Sequence, residues 1–180
     1  MALNATLYRF KVNLADADRH LYQTLELKAA RHPSESAPWL VARVLAYCLE
    51  YVDGIAFSRG LSEPDAPAIM VRDLTGALAS WIEVGLPDAA RLHKAAKAAP
   101  RVAVYAHRDA LPWLRALAGE RIYRAEALEL YAFDRSLIAA LAERLDRRMT
   151  FDLAVSERHL YLSLGEAHFE GALEPLTLAG

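Results

Sequence analysis

Apolar residues recur at every second position near both ends of the chain and at helical spacing in between, and this change of period limits the folds available more than any other feature. Thr6, Tyr8, Phe10, Val12 and Leu14 share one face of residues 4–14, while Arg9, Lys11 and Asn13 fall on the other. After the polar turn Ala15–Asp18, residues 21–29 alternate again, with Leu21, Leu25, Leu27 and Ala29 in phase. The two runs read as an antiparallel hairpin with one buried face. From Met149 the period is two once more, through Phe151, Leu153 and Val155, then Leu160, Leu162 and Leu164, to a last arm near Phe169. The C-terminal part is therefore expected to be a β-meander.

The middle follows different spacing. Ser34 or Ser36 can cap a helix with Pro38 in its first turn. Val41, Val44, Leu45, Cys48, Leu49 and Val52 then recur at helical intervals as far as Gly54. Short strands are expected at 55–57, 68–71 and 78–84, the last two around the turn Asp73–Gly76, and then a helix over 88–99 behind Gly85 and Pro87. Val102–Ala106 reads as a buried strand. A helix over 109–117, a strand over 128–133 and a helix over 136–145 complete an α/β order, which allows one mixed sheet or two sheets with helices between them.

With 180 residues, 54% of them apolar, the chain is expected to form one domain over 1–180 with a substantial core. A net charge of -2 argues against tight constitutive nucleic-acid binding, which phosphate neutralisation drives, yet leaves room for a local basic strip. The single cysteine, Cys48, rules out an intrachain disulfide and lies in an apolar helical stripe, which suits a buried inert thiol. Without a visible signal peptide or an apolar run of about 20 residues, a cytoplasmic protein off the membrane is expected.

No glycine-rich phosphate loop, nucleophile elbow or H-E-x-x-H helix is present. The unusual feature is Glu83, an acid between Ile82 and Val84 in a strand, where acids are depleted. It shares a face with Trp81 and Gly85. Such a carboxylate is a candidate metal ligand, and the plain alternative is a solvated edge. If 68–72 and 78–84 form a hairpin, Glu83 lies opposite a residue near 68, which favours Asp65 as the second acid. Asp73 becomes the partner if the turn lies closer to residues 77–80. The positive strip Arg91, Lys94, Lys97, Arg101 and Arg108 follows, set against Asp88 alone. Arg59 adds a cation in the loop before Asp65.

The segments Met1–Tyr8, Ala30–Glu35, Phe57–Leu61, Asp73–Gly76 and Trp81–Asp88 together resemble the YaeQ family of bacterial proteins, in order and over essentially the whole chain. That resemblance implies a variant of the PD-(D/E)xK nuclease fold: a nuclease-like core over about 35–106 with a mixed sheet, helices packed on it, and terminal β-hairpins forming a second sheet. It implies Asp65 and Glu83 as the acids holding Mg²⁺, and Glu35 as an accessory acid. The lysine expected two residues after Glu83 is replaced by Gly85, and Lys94 on the following helix is the candidate substitute. Arg59 and Arg91 would hold flanking phosphates. Three functions stay open: a metal-dependent nuclease, a nuclease-fold protein that has lost the chemistry and acts through protein or weak nucleic-acid interaction, and a hydrolase of a small phosphorylated metabolite.

Overall fold

The computed structural model describes residues 4–59 and 64–178. The opening Met1–Leu3 and the Gly60–Leu61 part of the family-like segment lie outside the described residues.

Alternation at the N-terminus forms β1 (Thr6–Asp16) and β2 (Leu21–Arg31), antiparallel in full register from Thr6 opposite Arg31 to Asp16 opposite Leu21. The turn falls two residues later than the polar run suggests, with His20 in the left-handed region. Ser36 is the cap of α1 (Ala37–Glu50): its hydroxyl accepts from the Trp39 N–H, and Pro38 occupies the first turn. The helix stops short of Gly54, at Tyr51.

Next come β3 (Ile55–Phe57), β4 (Ile69–Arg72), β5 (Leu78–Val84), α2 (Ala89–Ala98), β6 (Arg101–Ala106), α3 (Leu111–Leu117), β7 (Glu129–Phe133) and α4 (Arg135–Glu143). The meander β8 (Arg148–Ser156), β9 (His159–Leu164) and β10 (Ala167–Leu176) ends the chain. β4 and β5 pair Ile69 with Ile82, so Glu83 does lie beside residue 68, as the hairpin spacing predicts.

The ten strands form one sheet in the order β2-β1-β8-β9-β10-β7-β6-β5-β4-β3. The expectation that the terminal hairpins form a second sheet is therefore corrected. β10 is the reason: Ala167–Ala172 pair with β9, whereas Leu173–Leu176 pair with β7, so one long strand carries the ladder across. Gly171 sits just before the changeover, and a Cβ there would come within 2.7 Å of Asp134 Cβ, so its missing side chain lets α4 lie against β10. The sheet curves around α1. Its core joins Phe10, Val12 and Leu14 of β1, Leu40, Val44 and Leu45 of α1, and Ile69, Ile82 and Ala103 of the opposite half. On the outer face of β5–β7, α2 and α3 cover Trp81, Val102, Val104 and Leu130 with Leu92, Trp113 and Leu117. Cys48 is fully buried, and burial pushes its thiol up to about 12, as its apolar stripe suggests. Among the described residues no helix is long and apolar enough to cross a membrane.

Candidate functional site

β5, β6 and β7 run parallel. Beyond the carboxyl ends of β5 and β6 lies a cavity of about 460 Å³. The carboxyl ends of the strands are where open α/β sheets form their ligand crevices. Its walls come from the entry to α1 (Ser34, Glu35, Ser36, Trp39), the loop before β4 (Pro64, Ala66, Ala68), the end of β5, Arg91 of α2, and His107–Arg108 after β6.

Local hydrogen bonds hold each wall. Trp39 Nε1 donates to the Val84 carbonyl at 3.1 Å and fastens the start of α1 to the end of β5. Glu35 folds back, its Oε1 accepting from the His32 N–H at 3.0 Å. Arg43, fully buried, donates to the carbonyls of Ala68 and Ser58 and lies over the rings of Trp39 and Phe57. Burial pushes the Arg43 guanidinium down to about 10, against the pull of Glu35. Sequence reasoning missed Arg43; the only signal is an arginine inside an otherwise apolar helical run.

Glu83 is 6% exposed. Its Oε1 accepts from Trp81 Nε1 at 2.8 Å and from Arg91 Nη2 at 2.9 Å, and its Oε2 accepts from Arg91 Nε at 2.9 Å. This two-pronged arginine–carboxylate pair is the strongest geometry for such groups. The remaining Arg91 donors reach the carbonyls of Pro64 and Ala66. The hydrogen bonds to Glu83 raise the Arg91 pKa above the ordinary guanidinium value. Asp88 caps α2 by accepting from the Arg91 N–H at 2.8 Å, which sets the helix where its first turn faces Glu83.

The other expected site residues are placed as follows. Asp65 is exposed and accepts from Lys94 Nζ at 2.7 Å, which holds its carboxyl below the ordinary value. Arg91 and Lys94 thus take Glu83 and Asp65 respectively from adjacent positions on α2. Asp73 lies at the tip of the β4–β5 hairpin and accepts from the hydroxyl and N–H of Thr75 and from the Ala77 N–H, so it serves its own turn. Arg59 is exposed and follows Ser58, a wall residue. The basic strip is divided up: Arg101 forms ion pairs with Glu50 and Glu129 at 2.6 Å each, on the far side of the sheet.

Among the described residues two wall atoms have no hydrogen-bond partner, Glu35 Oε2 and His107 Nδ1, in side chains that are 6% and 8% exposed. Burial, reinforced by the neighbouring Arg108, pushes the His107 imidazole down to about 4, so it is neutral at pH 7. Sequence reasoning found Glu35 but not His107, which carries no local signal. The cleft thus offers two buried polar atoms, Glu35 Oε2 and His107 Nδ1, and the exposed Arg108 at the rim.

The donors suit Mg²⁺ poorly. Mg²⁺ takes hard oxygens at short, near-octahedral distances. Here both Glu83 oxygens face Arg91, the Asp65 carboxylate faces Lys94, and among the described residues no three His, Cys, Asp or Glu side chains converge as ligands.

Fold and cleft together define a class: a mixed α+β protein built on one large, curled sheet, with a small polar cleft at the ends of its parallel strands. The sequence pattern of the YaeQ protein family matches residues 1–173, and the chain belongs to that family. It is 37% identical to the uncharacterized protein YaeQ of Salmonella typhi over 166 residues, 91% of each chain. To that of Escherichia coli K12 it is 35% identical, again over 91% of each. The crystal structure of a YaeQ protein from Pseudomonas syringae superposes with a TM-score of 0.86 at 31% identity, covering 96% of both chains. One from Xanthomonas axonopodis pv. citri gives the same TM-score at 27% identity, covering 97% of this chain and 99% of that one.

Proposed function

We propose that this protein acts by binding rather than by metal-dependent hydrolysis: a nuclease-like core whose acids Asp65 and Glu83 are engaged by the chain's own cations, and whose cleft rim, at the exposed Arg108, meets an anionic group of a weakly held nucleic acid. The order α1-β3-β4-β5-α2-β6 supports a PD-(D/E)xK-like core. The Glu83–Arg91 pair carries the reading. A guanidinium bound through two nitrogens stands at the carboxylate where a nuclease of this type would hold its metal, and Lys94, the candidate activating lysine, is tied to Asp65. Arg108 stands at the rim to meet a phosphate, beside the Ser36 hydroxyl, which accepts from the Trp39 N–H and keeps its own proton to donate.

A second reading, a Mg²⁺-dependent phosphodiesterase, draws on Glu35 Oε2, which has no partner among the described residues and lines the same cavity as Glu83. It requires Arg91 to release Glu83. Calorimetric titration of wild type, Asp65→Ala and Glu83→Ala with Mg²⁺ and Mn²⁺ separates the two. Binding without hydrolysis predicts no saturable metal heat in wild type and no cleavage of plasmid DNA. Metal binding in wild type that both variants lose overturns it in favour of the phosphodiesterase.

A further inference from the structure

Among the described residues, a compact group of unpaired cations lies on the added β-structure, away from the cleft. Arg9 and Lys11 on β1, Lys28 on β2 and Arg148 on β8 all project from the solvent face and are exposed. The registers place Lys28 directly opposite Arg9 on one side and Arg148 directly beside it on the other. Three cations therefore stand in a row across three adjacent strands, roughly 10 Å from end to end at the usual strand spacing. Lys11 stands two residues further along, about 6.6 Å away at the rise of a strand. Glu26, opposite Lys11, is the one acid among them, and none of the five makes a side-chain hydrogen bond or ion pair among the described residues.

Like charges directly opposite each other in a sheet destabilise it. A chain that keeps Arg9 between Lys28 and Arg148 holds a repulsion that an anion would relieve. The four cations line one open groove of about 390 Å³, joined by Thr150, with Phe10, Leu27 and Met149 also contributing to its surface. A single phosphate cannot reach charges spread over this distance, whereas a backbone with a repeating negative charge can. The groove walls carry four cations against one hydroxyl, one carboxylate (Glu26, opposite Lys11) and no side-chain amide, so the contact would be made mainly to phosphates and would position a strand without reading its sequence.

We propose that this groove binds the phosphodiester backbone of a nucleic acid, independently of sequence. The inference stands whether or not the cleft at Glu83 binds anything. The test is fluorescence anisotropy of a labelled 15-nucleotide single-stranded DNA, titrated with the full chain at several salt concentrations. Four phosphate contacts predict that log K falls against log salt with a slope near -3, at about 0.7 per contact. Arg9→Ala/Lys28→Ala/Arg148→Ala is expected to bind at least ten-fold more weakly, with the slope reduced by about 2. The thermal midpoint of this variant at low salt should equal or exceed that of wild type, since the lost groups are exposed and repel one another. Should the triple variant fold poorly, Arg9→Gln alone is expected to reduce the slope by about 0.7. An absence of wild-type binding at low salt overturns the proposal, as does equal affinity in the folded variants. Displacement by inorganic phosphate as effective as by unlabelled oligonucleotide at equal phosphate concentration also overturns it, because a lone anion would then suffice.

Discussion

Arg91 joins four partners through one guanidinium: both oxygens of Glu83 and the carbonyls of Pro64 and Ala66. Its loss leaves the Glu83 carboxylate buried without a cation. Breaking a buried pair from one side costs about 3–5 kcal/mol, and because the Arg91 side chain is a third exposed a discounted loss of about 2–4 kcal/mol is expected for Arg91→Ala in urea unfolding. Glu83→Leu/Arg91→Leu should lose less than the two single variants added together, because no charge is then stranded. Full additivity would show that the pair carries no coupling. His107 supplies a pH dependence of defined sign. Its folded pKa of about 4 lies below the ordinary 6.5, so between these values the unfolded chain binds more protons. The stability from burying a neutral imidazole is complete above pH 6.5 and is lost as pH falls toward 4. The loss should be on the order of 2 kcal/mol once residual solvent screening is allowed for. In urea titrations at pH 7 and pH 4.5, His107→Gln should narrow the gap between the two stabilities. An unchanged gap would place the acid sensitivity elsewhere.

At the scale of elements, backbone conformation accounts for a glycine, Gly85, and not a lysine, two residues after Glu83. Its φ of +113° is one that side-chain-bearing residues rarely adopt, and its N–H donates to the Tyr105 carbonyl as the ladder between β5 and β6 ends. A Cβ there meets nothing within 4 Å, so strain is the only obstacle. Gly85→Lys should therefore fold but lose about 1–3 kcal/mol, read as a lower thermal midpoint. Gly54 is the opposite case: its added Cβ would lie 2.1 Å from the Arg72 carbonyl oxygen, so Gly54→Ala must push β3 from β4 and should cost more than Gly85→Ala. Much of the element layout was legible in the chain. The period-two faces of β1 and β2, the cap at Ser36 and the position of Glu83 beside residue 68 all follow from local spacing. The fate of the charges did not. That Arg91 and Lys94 close on Glu83 and Asp65 depends on the angle at which α2 lies on the sheet, and that angle is set by Trp81, Leu92 and Val104 packing against one another. The role of β10 was equally hidden, because nothing in the local spacing near Phe169 shows that one strand pairs with both β9 and β7.

At the scale of the whole molecule, α1 has sheet on opposite sides. Leu40, Val44 and Leu45 share one apolar cluster with Phe10 and Val12 from the N-terminal hairpin, Leu153 and Leu160 from the meander, and Ile69 and Ile82 from the cleft half. Neither half can keep its face of α1 dry without the other, and β10 ties the two ladders into one. Residues 35–106 taken alone would expose the hairpin-facing side of that helix. The sheet should therefore unfold as one unit, although its ends are far apart in sequence. Trp39, Trp81 and Trp113 all belong to α1 and the cleft half, so their fluorescence follows that half, whereas far-UV circular dichroism follows every strand. In urea the two signals should give coincident transitions. Leu45→Ala, at a position 1% exposed, should lower stability by about 2–5 kcal/mol and move both transitions together. If the fluorescence midpoint moved while part of the dichroism transition stayed in place, the terminal strands would be holding a core of their own, and the sheet would be continuous in hydrogen bonding but divided in stability.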